Sequence, residues 1–380
     1  MSNQAVLNQA ASVLEAVAQG QRADVALRDF FEGRRHGSWR ERREIVAAVF
    51  AYFRWFQWLD RNASPQRRLA DAVGFQERFN TDEGSIKEEA LAARAVPDWL
   101  RKEFDVPAGY LRQLQREPAL WIRARPGSRA ELAAQLGDCE ETELAPDALR
   151  YRGTRDLFQT PAFRTGAFEI QDLASQIVGV ACAPNPGETW WDACAGEGGK
   201  TLHLAGLMKN KGVVWATDRN ARRLDTLKRR AARAKLFNFR AALWDGGARL
   251  PNGVKYDGVL VDAPCSGVGT WQRNPHARWT TSEDDVRELA GVQAALLKNV
   301  SKSVKPGGKL VYAVCTLTRT ETTAVADAFA LAHPDFKPLS RSLLLPHELS
   351  ANGMFIAIWQ RELAAIETAG TESEEPPQRP

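Results

Sequence analysis

The sequence predicts an α/β protein built on a doubly wound, parallel sheet. A small all-helical domain and a short connecting domain precede that sheet. Three observations carry this expectation. From about residue 155 to 365, apolar strands alternate with amphipathic helices, the pattern of a sheet covered on both faces. The first sixty residues read as helix throughout. Chemically competent side chains stand just after the strand ends, where such sheets bind ligands.

The bounds agree with a globular enzyme of ordinary size. The chain has 380 residues, 44% hydrophobic and 26% charged, which excludes fibrous and wholly disordered classes. Its formal net charge of +4 is mild, so nucleic-acid binding has to be argued from local clusters. No apolar run approaches the length of a membrane span, and Met1–Ala11 lacks the pattern of a signal peptide. The five cysteines are odd in number and widely spread, with no Cys-x-x-Cys pair. Free thiols in a reducing cytoplasm are expected, with no disulfide framework, no metal site and no membrane partner.

Taken in order, residues 1–62 form the helical domain. Val6, Leu7, Ala10, Leu14 and Val17 recur at helical spacing, followed by Ile45, Val46, Val49, Phe50 and Phe53. The aromatic run Ala51–Leu59, interleaved with Arg54, offers either a base-stacking surface or a helix core; its packing intervals favour the core. Within 63–155, the polar stretch 61–90, with Pro65 and Gly84, reads as a linker. A short helix ending near Glu117 and an extended piece Ala119–Ala124 then open a small α/β region expected to contact RNA. The domain 156–365 carries strands at Thr189–Asp192, Val213–Asp218, Gly258–Asp262, Lys309–Val314 and Met354–Trp359. Its helices fall at Lys200–Met208, Ala221–Ala234, Glu283–Ser301 and Glu321–His333. Residues 366–380, polar and acidic with prolines from Thr368 onward, read as a disordered tail.

The first of these strands ends in Asp192 and runs into Ala193, Cys194, Ala195, Gly196, Glu197, Gly198, Gly199, Lys200 and Thr201. A glycine turn there brings backbone close to a ligand and aims a helix N-terminus at it. A phosphate-binding loop would need glycine where Cys194 stands, and a dinucleotide fingerprint would need one where Thr201 stands. A nucleoside ligand is what remains. Asp218, at the next strand end, is placed for ribose hydroxyls, and Asp245, after Ala241–Trp244, for an adenine amino group. Three acids at successive strand ends point to S-adenosyl-L-methionine.

The strand Gly258–Asp262 ends in Asp262-Ala263-Pro264-Cys265-Ser266-Gly267, and the strand Lys309–Val314 runs into Cys315. Adjacent parallel strands turn both ends into one crevice, so two thiols and a carboxylate converge beside the cofactor. Cys139 and Cys182 read as inert core residues. The residue types suit methylation at carbon 5 of cytosine, which needs a thiolate at carbon 6 to make carbon 5 nucleophilic. Asp262 suits the charge that develops near ring nitrogen 3.

Motif by motif the chain resembles the Sun-type (Fmu-like) RNA cytosine-5 methyltransferases, in the manner of a bacterial ribosomal-RNA-type member. The glycine turn Asp192–Thr201, the unaltered Asp262–Gly267 motif, Asn274–Trp279 after it, Val314-Cys315 and the opening Gly166–Asp172 all match, in order. The resemblance covers roughly 160–360 and implies a Rossmann-like class I methyltransferase sheet. It makes Cys315 the nucleophile, Cys265 the release cysteine and Asp262 a contact to the target base. It makes Cys194–Lys200, Asp218, Asp245 and Asp262 the S-adenosyl-L-methionine site. Residues 1–60 resemble, more weakly, the antitermination-factor-like domain of some bacterial members. This chain departs from the family at Gly196-Glu197 (commonly Ala-Pro), at Ala313-Val314 (commonly Ser-Thr) and at Thr322 (commonly Asn).

The partner implied is RNA, ribosomal in preference to transfer RNA, met by a monomeric enzyme at an unstacked base. Arg273, His276 and Arg278 follow the Pro-Cys motif and are expected to hold the target strand. Arg219, Arg222, Arg223, Lys228, Arg229, Arg230, Arg233 and Lys235 form either a solvated helix face or a phosphate-binding one. The rival readings are a non-catalytic RNA-binding factor, which would need neither cysteine, and a DNA cytosine methyltransferase, which would not explain Cys315.

Overall fold

A computed structural model describes residues 3–32 and 38–363; the tail expected from Thr368 lies outside them. The chain opens with helices α1 (Asn3–Ala18), α2 (Ala23–Glu32), α3 (Trp39–Arg54) and α4 (Pro65–Thr81). Ser38 caps α3 by accepting from the Glu41 amide, and Ile45, Val49, Tyr52 and Phe53 are buried. The aromatic run is core. Trp55 is fully buried and stacks on Phe75 with ring centroids 5.6 Å apart. Arg54 turns inward as well, to Gln76 Oε1 at 3.2 Å, which also receives the Trp55 indole N–H.

Helix α4 corrects the expectation of a linker at 61–90. Ser64 accepts from the Arg67 amide and Pro65 occupies the first turn, where its missing N–H is no loss. Leu69, Ala72, Gln76 and Phe79 form its buried stripe. A stripe that narrow, with a glutamine in it, is hidden by the polar composition around it, and Pro65 is a start signal here, not a breaker.

Four short antiparallel strands follow: β1 (Leu120–Ala124), β2 (Cys139–Glu141), β3 (Ala148–Tyr151) and β4 (Phe168–Ile170), in the order β2-β3-β1-β4. The main sheet contains β5 (Thr189–Asp192), β6 (Val213–Asp218), β7 (Phe239–Leu243), β8 (Tyr256–Asp262), β9 (Val304–Val314), β10 (Phe336–Leu344) and β11 (Met354–Arg361). Their order is β10-β11-β9-β8-β5-β6-β7. Strands β5 to β9 pair in parallel, while β11 runs antiparallel between β9 and β10.

Strand β5 lies inside the sheet, between β8 and β6, and is covered on both faces. Trp190 packs into the core on one side and Trp191 into the core on the other. The chain runs from β5 outward through β6 and β7, then returns to β8 on the opposite flank. The switch point therefore lies between β5 and β8, and a crevice opens at their carboxyl ends. Helix Glu283–Ser301 covers one face, opened by a capping box of Ser282 and Asp285. Strand β10 has no counterpart among the expected strands: as an edge strand it is exposed along most of its length, so no buried alternation marks it. Among the described residues no helix is long and apolar enough to cross a membrane.

Candidate active site

The glycine turn after β5 is shaped by one close approach. Gly198 has φ +86°, and a Cβ there would stand 2.5 Å from the Leu227 side chain. Only glycine meets both demands. The turn is then tied across the sheet: the Gly196 amide donates to Asp218 Oδ2 at 3.0 Å, and the Asn220 amide donates to Oδ1 at 2.8 Å. Asp218 is thereby buried, with its carboxylate fixed at the lip of the crevice. Arg230 holds the far side of the turn through the Glu197 carbonyl at 2.9 Å, and Arg123 of β1 donates to the Gly199 carbonyl at 3.0 Å.

A cavity of about 590 Å³ fills the crevice. Cys194, Ala195, Gly196, Glu197, Gly199, Lys200, Asp218, Asp245, Asp262, Cys265 and Cys315 all line it. Gly198 stands behind it, at the cap of helix Gly199–Leu207. Asp245 is exposed and accepts from the Gly247 amide at 2.8 Å. At the end of β5, Asp192 accepts from Thr201 Oγ1 at 2.6 Å, while its Oδ1 is buried without a partner. Burial pushes this carboxyl up to about 7.

The opposite wall carries the sulfurs. Strands β8 and β9 place Asp262 beside Ala313 in register, so the two chain turns that follow lie against each other. Cys265 Sγ and Cys315 Sγ come within 3.3 Å. The hydrogen bond from the Cys265 thiol pulls Cys315 below the ordinary thiol value; burial and Asp262 oppose this, and Lys200 and Arg273 reinforce it. The same bond, with burial and Glu321, pushes Cys265 up. The two shifts run in opposite directions, which makes Cys315 the more thiolate-like sulfur of the pair. Burial also raises Cys194, leaving it a poor nucleophile.

Lys200 is expected from the sequence only as part of the cofactor turn, and its side chain does more. It leaves the turn and reaches Asp262 Oδ2 at 2.7 Å, with Ser175 Oγ at 3.4 Å. Burial draws its pKa down, and Asp262 more than offsets this, so the net shift is upward. No sequence signal marks this pairing, because the partners stand 62 residues apart.

One expected RNA contact, Arg278, is overturned, and a second, His276, is engaged by the helical region. Arg278 is fully buried and donates to the Ala95 and Leu114 carbonyls, each at 3.0 Å. His276 packs edge-on against Phe53, with centroids 4.7 Å apart, and its Nδ1 accepts from the Ala23 amide at 3.4 Å. Both fasten the sheet domain to the helical region; Arg278 is interior, while His276 stays half-buried. Arg273 alone of the three is exposed and lines the cavity. On helix Ala221–Ala234, Arg230 and Arg233 bind Glu169 at 2.9 and 2.5 Å, and Lys228 pairs with Asp225. Arg219, Arg222, Arg229 and Lys235 remain exposed.

A parallel sheet with its glycine turn, strand-end acids and cavity at the switch point defines a Rossmann-like, class I methyltransferase domain. The family described as 16S rRNA methyltransferase RsmB/F matches residues 179–360. The chain is 34% identical over 299 residues to the probable ribosomal RNA small subunit methyltransferase B of Bacillus subtilis (strain 168), an alignment covering 70% of this chain. It spans 66% of that curated relative's length. Among solved structures, the crystal structure of PH0851 superposes with a TM-score of 0.79 at 23% identity, covering 95% of this chain and 99% of that one. A methyltransferase homologue from Pyrococcus horikoshii superposes with a TM-score of 0.60 at 27% identity, covering 67% of this chain and 90% of that one. Residues 179–360, the sheet domain, belong to the RsmB/F (Sun/Fmu) family of S-adenosylmethionine-dependent methyltransferases. The donor set fits that cofactor: two carboxylates at strand ends for hydroxyl and amino groups, a glycine turn without a phosphate cradle, and a cavity of nucleoside size.

Proposed function

We propose that this protein methylates carbon 5 of a cytosine in RNA, with small-subunit ribosomal RNA as the substrate and Cys315 as the nucleophile. The observation that carries this reading is the sulfur pair, 3.3 Å apart beside the Lys200–Asp262 ion pair. A binding module has no use for two thiols held in that state.

In this reading the Cys315 thiolate adds to carbon 6, forming a C–S bond and moving the ring π pair so that carbon 5 becomes the nucleophile. Bound S-adenosylmethionine supplies an electrophilic methyl group. Asp218, Asp245 and the turn Cys194–Lys200 would hold it, the two carboxylates through its hydroxyl and amino groups. Asp262 accepts from the exocyclic amino group of the target base, and Lys200 sets a positive charge beside the ring where electron density builds. Once Cys315 is bound to carbon, Cys265 has lost its acceptor and releases its proton to solvent. It then takes the carbon-5 proton; that electron pair restores the ring double bond and expels Cys315 as thiolate. Arg273, exposed at the cavity mouth, holds the strand phosphate. Ribosomal RNA is favoured by the name of the Bacillus subtilis relative.

Bisulfite sequencing of ribosomal and transfer RNA, from cells with and without the gene, tests the substrate. One protected cytosine in small-subunit RNA should disappear with the gene. A loss confined to transfer RNA would reassign the substrate, and no loss in either would remove the proposed activity.

A further inference from the structure

A buried acid outside the cavity wall binds both cysteine turns at once. Glu321 has no solvent exposure. Its Oε1 accepts from the Ser266 amide at 2.8 Å and from Gln293 Nε2 at 3.0 Å. Its Oε2 faces three hydroxyls: Ser266 Oγ, Thr316 Oγ1 at 3.1 Å and Thr318 Oγ1 at 2.8 Å. Ser266 directly follows Cys265, and Thr316 directly follows Cys315. Five donors on two oxygens match a carboxylate acting purely as acceptor. The surroundings tighten the same knot. Gln293 also donates to the Pro264 carbonyl at 2.9 Å, and the Tyr312 hydroxyl donates to the Glu321 carbonyl at 2.6 Å. The Gly269 amide donates to the Cys315 carbonyl at 3.1 Å.

We propose that Glu321 is the positioning residue of the two-cysteine site: its carboxylate straps the Cys265 turn to the Cys315 turn and sets the sulfur spacing, and with it which sulfur reacts. The role rests on the cysteine chemistry proposed above, and Glu321 touches neither substrate nor cofactor. Two effects combine. The strap fixes both backbones within hydrogen-bonding range of each other. Its negative charge lies on the Cys265 side, opposing a thiolate there. The other charged or titratable groups facing the pair are Asp262, Lys200 and Arg273 around Cys315 and Tyr312 behind Cys265. Of these, only Glu321 bonds to both turns. The departure at Ala313-Val314 removes two hydroxyls before the nucleophile; the hydroxyls that order it, Thr316 and Thr318, lie after it.

The test needs no RNA, so its failure is separable from failure of the substrate assignment. The full chain is treated with iodoacetamide across a pH series, and labelling at Cys315 and Cys265 is followed by mass spectrometry. The wild type should label Cys315 first. Glu321→Gln keeps the shape and removes the charge, and it should lower the Cys315-to-Cys265 rate ratio by about tenfold, the equivalent of one pKa unit. The kcat for methyl transfer should fall with it, while the affinity for S-adenosylmethionine, measured by calorimetry, stays put. Thr318→Val, which removes one donor and leaves the carboxylate, should move the ratio the same way by roughly threefold. It decides the matter if Glu321→Gln does not fold. A folded Glu321→Gln, or failing that Thr318→Val, with the wild-type labelling ratio overturns the proposal. It does so even if kcat falls, because a merely structural residue would slow the enzyme without changing which sulfur reacts.

Discussion

Replacing Lys200 by methionine removes the cation that faces both Asp262 and Cys315 while keeping most of the buried stem. At the observed 2.7 Å, the Lys200–Asp262 attraction is about 6 kcal/mol gross at an effective dielectric of ~20. Desolvation of the ammonium group returns much of that, and breaking a fully buried pair costs about 3–5 kcal/mol. The Asp262 side chain keeps 29% of its exposure, so water can rehydrate it. The expected loss is therefore smaller, about 2–3 kcal/mol, read as a lower urea midpoint. The sign of its pH dependence follows from the upward shift of Lys200. The contribution is full below the unfolded lysine value of 10.5 and is lost as pH rises through the higher folded value. The gap between wild type and variant should thus hold constant from about pH 7 to 9 and close only in stronger alkali. Lys200 also favours the Cys315 thiolate, so alkylation of Cys315 at neutral pH should slow several-fold in the variant. An unchanged urea midpoint together with an unchanged alkylation rate would refute this account of the pair.

Asp218→Ala should weaken S-adenosylmethionine by about 1–3 kcal/mol in calorimetry, the scale for stranding a ligand's hydroxyls; wild-type affinity in the folded variant would remove Asp218 from the site. Arg273→Ala should flatten the salt dependence of RNA binding, because it removes the proposed phosphate contact. Arg278→Met should leave that slope alone and cost about 3 kcal/mol of stability, through its two bonds to the Ala95 and Leu114 carbonyls. The reverse pattern would return Arg278 to the RNA surface. Asp192 has a folded value raised from 3.8 to about 7, so the folded state holds its proton longer than the unfolded chain does. Stability should fall as pH rises between those two values, and Asp192→Asn should remove that part of the slope. Matching stability–pH curves for the two proteins would place the titration elsewhere.

Periodicity carries most of the fold. Strands β5 and β6 and helices Ala221–Ala234 and Glu283–Ser301 have the bounds their apolar patterns indicate, because burial on a regular element leaves a regular trace. Helix α4 and strand β10 leave none. One buries a narrow stripe in a polar segment, and the other is an edge exposed along its length. The cavity is legible for a topological reason: residues after parallel strands share one end of the sheet, so Asp218, Asp262, Cys265 and Cys315 converge without any knowledge of side-chain geometry. Pairings across the sheet are not legible. Lys200 turning to Asp262, Glu321 gathering Ser266, Thr316 and Thr318, and Arg278 turning inward all depend on tertiary neighbours. A charged residue carries the same letter whether it faces water or a buried carbonyl. Hence Arg278 and His276 look like RNA contacts in the sequence.

The division of labour between the two sulfurs is tested most directly by trapping. Labelled RNA and S-adenosylmethionine are incubated with Cys315→Ala, Cys265→Ala and the double variant, and the products are separated on a denaturing gel. Cys265→Ala keeps the proposed attacking sulfur and loses the proposed acceptor of the carbon-5 proton, so it should accumulate a protein–RNA adduct that survives denaturation. Cys315→Ala and the double variant should form none, and Cys315→Ala should have no turnover. An adduct from Cys315→Ala but not from Cys265→Ala would reverse the two roles, and full activity in Cys315→Ala would contradict the covalent mechanism itself.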